Sequence, residues 1–96
     1  MIIEMTDEYV KFTGHAATVV ECAVINGMAT MVYNGLKHYL PDEVKVEMDD
    51  GHFYVEKKNL TWYGQVLMFV FECALEDLVK ESPKSFELKD TRTEKD

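Results

Sequence analysis

The clearest chemistry in the chain belongs to a histidine and a cysteine, His15 and Cys22, in the stretch Gly14-His15-Ala16-Ala17-Thr18-Val19-Val20-Glu21-Cys22-Ala23. A β-type pattern ends at Gly14 and a helical one follows, which places Cys22 in the first turns of a helix and His15 in the loop before it. A free thiol titrates near about 8.5 and is only about 3% ionised at pH 7. A helix N-terminus and a nearby imidazole both favour the thiolate, and lowering that value by about two units would ionise about three-quarters of it. A loop of this length can fold back and bring the two side chains together, with the histidine as base for a nucleophilic sulfur. Backbone N–H groups at the helix start, that of Cys22 included, are candidate oxyanion donors. The competing reading of one cysteine near one histidine is a buried, inert thiol. Cys73 lies mid-helix among Phe69, Ala74 and Asp77 and reads as a core or interface thiol. His38 suits the C-terminal end of the first helix, where the dipole favours a cation. His52 beside a turn reads as a solvated loop residue.

The elements that must carry these residues follow from periodicity. Residues 2–6 and 9–13 alternate as half-buried strands. A turn at Asp7-Glu8 sets Met5 opposite Val10, Ile3 opposite Phe12 and Glu4 opposite Lys11, satisfying both faces in one register. Val19, Val20, Ala23, Val24, Met28, Val32, Leu36 and Leu40 then recur at helical spacing, with Thr18 and Glu21 as a capping box and Pro41 as the stop. Gly27 and Gly35 each cost about 1 kcal/mol inside that helix, which points to close approach of another element or to local strain. Residues 44–49 and 52–57 form a second hairpin around Asp50-Gly51, with Met48 facing Phe53, Val46 facing Val55 and Lys45 facing Glu56. A second helix runs over 60–81, capped by Asn59 or Thr61 and stopped by Ser82-Pro83. Leu67, Val70, Phe71, Ala74 and Leu78 suit the sheet, leaving Trp62, Met68 and Phe69 for a second copy of the chain to cover. Residues 85–89 alternate as a last strand, with Phe86 and Leu88 inward. The ββαββαβ order predicts an α+β fold, a mainly antiparallel sheet covered by two helices as a two-layer sandwich. Residues 1–90 form one domain, and 91–96 a disordered charged tail.

Composition narrows the partners. The 96 residues carry 18 acidic and 10 basic side chains, a net charge of −8. That opposes nucleic acid or an anionic membrane as partner and helps attract a basic protein. No run of about 18 uncharged apolar residues and no signal-peptide pattern is present. Two cysteines make neither a disulfide framework nor a metal-site spacing, so neither metal nor cofactor is expected and a reducing, cytoplasmic setting is.

At Gly14-His15-Ala16, Cys22-Ala23 and Asn34-Gly35-Leu36 the chain resembles the ribosomal-processing cysteine protease (Prp) family. Its members carry a Gly-His-Ala loop, a helix opening with Cys-Ala, and a Thr-x-x-x-Asn-Gly-Leu run, here Thr30 to Leu36. The resemblance extends loosely over residues 1–90. It implies a cytoplasmic bacterial homodimer that removes an N-terminal extension from a large-subunit ribosomal protein. Cys22 would be the nucleophile and His15 the general base, with Gly14, Ala16, Ala23 and Asn26 in oxyanion or positioning roles. The chain departs from the family pattern in a shorter loop from His15 to Cys22. The acidic residue a few positions before the cysteine is absent, and Asn26 stands where serine is usual. A second reading is a catalytically silent dimeric module of the same fold that holds a peptide or ribosomal protein. A third is a redox-sensing thiol with Cys73 as its resolving partner.

Overall fold

The computed structural model describes residues 1–39 and 44–93. The elements are β1 (Ile2–Met5), β2 (Tyr9–Thr13), α1 (Val19–Tyr39), β3 (Val46–Asp49), β4 (His52–Glu56), α2 (Trp62–Glu81) and β5 (Glu87–Asp90). This is the order that the alternating and helical patterns predict. The strands make one sheet in the order β3-β4-β2-β1-β5. Ile3, Met5, Val10, Phe12, Phe53 and Val55 are buried on one face against the helices, while Glu4, Lys11, Tyr54 and Glu56 keep to the wetter face. The result is a two-layer α+β sandwich.

Both hairpins hold the register read from their side chains. Ile3 pairs with Phe12, Glu4 with Lys11 and Met5 with Val10. The first turn lacks glycine, and Thr6 supplies the missing bonds instead. Its hydroxyl accepts the N–H groups of Glu8 and Tyr9 at 3.1 and 3.0 Å, a side-chain substitute for a backbone turn. In the second hairpin Met48 faces Phe53 and Val46 faces Val55. β4 also pairs with β2 along its whole length, from Tyr9↔Glu56 to Thr13↔His52. β5 pairs with β1 in parallel, because the α2 crossover returns the chain in the same direction.

The helix faces differ from the expected ones. In α1 the buried stripe is Ile25, Ala29, Val32 and Leu36, whereas Val19, Val20, Ala23 and Val24 are exposed. In α2 it is Gly64, Met68, Phe71, Glu72 and Leu75, so Met68 faces the core and Val70 does not. The cause is common to both: a helix with apolar residues all round has no unique inward face, and close packing of the pair selects one. That close packing passes Gly35, where an added Cβ would stand 3.0 Å from Leu67 Cδ2, while Gly27 faces open space. Thr61 caps α2, its hydroxyl accepting the Gly64 N–H, and Ser82 closes it. By length and composition Val19–His38 is apolar enough to cross a membrane; here its inner stripe packs on the sheet. Leu40 and Pro41, expected to close α1, lie outside the described residues.

Of the segment expected as a mobile tail, residues 91–93 are described. Arg92 is only 6% exposed. Its guanidinium meets Asp90 at 2.8 Å, Glu76 at 2.7 Å and Glu72 at 3.6 Å, and Lys57 completes the group on Glu72 at 2.7 Å. Asp7 accepts both the N–H and the hydroxyl of Thr93 at 3.0 and 2.8 Å. Composition alone reads this segment as polar and therefore solvated; in the fold its charges find buried partners. Residues 94–96 lie outside the description. Removing one member of a buried ion group leaves the others uncompensated, typically at a cost of about 3–5 kcal/mol. Arg92→Ala should therefore lower the urea midpoint by an amount equivalent to about 3 kcal/mol, where a mobile tail would lose nothing measurable.

Candidate active site

Gly14 ends β2 with φ +92°, a left-handed conformation that turns the chain out of the sheet, and its N–H bonds to Gly51 O at 2.9 Å. Gly51 sits in the β3–β4 turn at φ +71°, and the imidazole of His15 lies directly against it: a Cβ added at Gly51 would be 3.1 Å from Nε2. The turn glycine thus serves twice, for its backbone angle and for the space its missing side chain leaves to the ring. From His15 the chain doubles back. The N–H of Ala16 points at the Cys22 sulfur at 3.2 Å. An N–H aimed at Sγ gives the nucleophilic form of the thiol a partner. The Met1 nitrogen donates to His15 O at 3.2 Å and Ser85 O at 3.0 Å, and Ala17 N–H donates to the Ser85 hydroxyl at 3.2 Å.

α1 then opens on Thr18, whose hydroxyl accepts the Glu21 N–H at 3.1 Å and donates to the Glu21 carboxylate at 2.8 Å. The carboxylate also receives the Ser85 hydroxyl at 2.5 Å. Hydrogen bonds from Ser85, Ser82 and Thr18 hold the Glu21 carboxyl below its ordinary titration range. One expectation is corrected here. The Cys22 N–H already bonds to Thr18 O at 3.1 Å, an ordinary helical bond, and is not aimed outward for an oxyanion. The N–H group beside the sulfur comes from the loop instead.

His15 and Cys22 line one cavity of about 20 Å³, together with Gly14, Asn26, Met48, Asp49, Gly51 and His52, over a floor of Phe12 and Phe53. That volume holds about one water. Asn26 lies one turn beyond Cys22, Ala16 takes part through its backbone, and Ala23 is exposed and off the cavity. His52, expected in a solvated loop, is the first residue of β4. It reaches the cavity because β2–β4 pairing sets it opposite Thr13, and its Nε2 is 3.9 Å from Glu47 Oε1. Asp49, its neighbour across the hairpin, brings a carboxylate to the same cavity. Nothing local in the sequence shows either residue beside Cys22, since both arrive by long-range pairing. His38, 16 positions along α1 from Cys22, is about 24 Å away along the axis. Cys73, half-buried in α2, is not part of the cavity. Among the described residues no group of three or more His, Cys, Asp or Glu is placed to hold a metal ion.

Neither a protein-family model nor a curated protein matches the chain. Solved structures do. The ribosomal processing protease Prp of Staphylococcus aureus, with a covalently linked product peptide, superposes at a TM-score of 0.77. The two are 18% identical over 94% of this chain and 98% of that one. The same protease with a substrate peptide gives 0.62 at 19% identity, over the same shares of the two chains. A Streptococcus mutans protein gives 0.72 at 21% identity over 96% and 92% of the two chains. These likenesses show that the fold is that of the Prp structures.

The ring-on-turn contact is open to test. Gly51→Ala forces an L-residue into a left-handed angle, which costs about 1–2 kcal/mol, and drives a methyl into the imidazole. Thermal unfolding should shift down accordingly, and iodoacetamide labelling of Cys22 should slow relative to Cys73. Wild-type values on both measures would show that His15 does not depend on the turn.

Proposed function

We propose that the chain is a cysteine endopeptidase of the Prp type that acts in the cytoplasm on the N-terminal extension of a large-subunit ribosomal protein. The observation that carries this reading is the Ala16 N–H at 3.2 Å from Cys22 Sγ, in a cavity that His15 also lines. Support comes from the fold, shared with a ribosomal processing protease that has been solved with product and substrate peptides. A net charge of −8 suits a basic substrate.

In this reading His15 takes the thiol proton and the sulfur attacks the scissile carbonyl carbon. The carbonyl oxygen becomes an oxyanion next to the sulfur, within reach of the Ala16 N–H that now rests on Sγ. The C–N bond then breaks as His15 returns its proton to the leaving amine, and water hydrolyses the thioester.

The decisive experiment is incubation with ribosomal protein precursors, followed by mass spectrometry of their N-termini. Cys22→Ala should abolish cleavage while circular dichroism stays that of the wild type, because a half-buried thiol near a helix start contributes little packing. Cys22→Ser should be nearly as inactive, since a hydroxyl is hardly ionised at neutral pH. Cleavage by Cys22→Ala at the wild-type rate would leave the chain as a peptide-binding module of the same fold.

The same reading includes a homodimer formed through the helices. Val20, Val24 and Met31 of α1 and Trp62, Val66, Phe69 and Val70 of α2 are exposed, Trp62 at 78%. Between the helices runs a wholly apolar groove of about 210 Å³ lined by residues such as Met31, Leu67 and Val70. Gly27 lies on the exposed side of α1 with no neighbour within 4 Å, a position where a glycine gains nothing inside one subunit. Sedimentation at micromolar concentration should give about twice 11.1 kDa, and Val70→Glu should return the chain to a monomer. A monomeric wild type would remove this part of the reading.

A further inference from the structure

Ser85 lies between α2 and β5, 64 positions from Glu21, and is 5% exposed. Its hydroxyl is used on both sides: it accepts the Ala17 N–H and donates to the Glu21 carboxylate. Glu21 needs no such partner to cap α1, because Thr18 already bonds it through both backbone and side chain. What the serine adds, beside the Thr18 cap and the contact at the sulfur, is a direct link between two further pieces of chain. One is the loop peptide just after Ala16. The other is the helical turn that carries Cys22. The two ends of the Ala16 N–H···Sγ contact are thus each held within one residue, and by the same hydroxyl.

We infer that Ser85 and Glu21 are positioning residues for the nucleophile, a clamp that fixes the 14–18 loop on α1 so that the Ala16 N–H stays on Cys22 Sγ. The acidic residue sought a few positions before the cysteine is absent. The adjacent Glu21 works differently from an acid that orients a histidine, setting the distance between loop and helix. The clamp's catalytic consequence rests on the protease reading; the clamp itself does not, because amide exchange measures it without substrate.

The test is hydrogen exchange at single amides in Ser85→Ala, Glu21→Ala and Glu21→Gln, with Val10 of β2 as reference. Ser85→Ala should speed exchange at Ala17, which loses its acceptor, and also at Ala16, whose N–H is bonded to Cys22 Sγ. The expected change at each is about fivefold, that of losing one net hydrogen bond. Glu21→Ala should do the same, whereas Glu21→Gln, which keeps the acceptor oxygen, should stay within about twofold of wild type. With a cleaved peptide, kcat should fall about fivefold in Ser85→Ala and Glu21→Ala with KM unchanged and be rescued in Glu21→Gln. Unchanged exchange at Ala16 in Ser85→Ala overturns the clamp, as does equal loss in both glutamate variants. Loosened Ala16 with an unchanged kcat overturns its role in catalysis. A wild-type chain that cleaves nothing speaks against the protease reading alone, and exchange still decides the clamp.

Discussion

Five residue pairs between β2 and β4, from Tyr9↔Glu56 to Thr13↔His52, join two hairpins that are each local in sequence. Without that pairing the molecule would be two unconnected ribbons, each too small to be stable alone. With it, Phe12 stacks on Phe53 at 4.8 Å and Phe53 meets Phe71 of α2 edge-on at 5.8 Å, so the sheet and a helix share one aromatic seam. The same pairing sets Gly14 beside Gly51, and so decides where the chain leaves the sheet and where His15 comes to rest. The site is an end effect of strand registry: its histidine, its wall and its floor lie at one end of two central strands.

Much of this was legible in the residues, and the reason is locality. The hairpin registers follow from alternation over a few positions, and the Thr61 and Ser82 ends of α2 from capping chemistry within one turn. Cys22 near a helix start and His15 in the loop before it depend on the same local rules. What could not be read depends on non-local choice. Val70 and Met68 are both large and apolar, two positions apart in a helix that is apolar on several sides, and only the second helix decides which turns inward. His52 and Asp49 look like turn flanks until a strand from the first hairpin arrives beside them. The Cys22 N–H, sought as an oxyanion donor, is engaged for a related reason: an N–H four positions into a helix already has its helical acceptor, and the N–H beside the sulfur comes from the loop.

The charged residues show the same division between composition and place. The chain is acidic overall, yet the most buried charge among the described residues is a cation, Arg92, enclosed by Asp90, Glu76 and Glu72. Hydrogen bonding to Asp90, and after it Glu76, raises its already high pKa further against the opposing effect of burial. Glu72 sits on the inward side of α2 where an apolar residue would be expected, and is tolerable there because Lys57 and Arg92 both reach it. A segment that looks like a solvated tail thereby becomes the strap that ties β5 to α2.

The parallel β1–β5 pair brings Ile2 opposite Glu87, 87 − 2 = 85 positions apart in the chain. Contacts of such long range close late, because loop entropy opposes them until the intervening elements have formed. During synthesis at about 5–20 residues per second, the His15–Cys22 segment exists for several seconds before Ser85 is made. The nascent chain then contains both the thiol and the imidazole, but not the serine that joins the loop to the helix. The Ser85 link between loop and helix thus forms only after nearly the whole chain has been made.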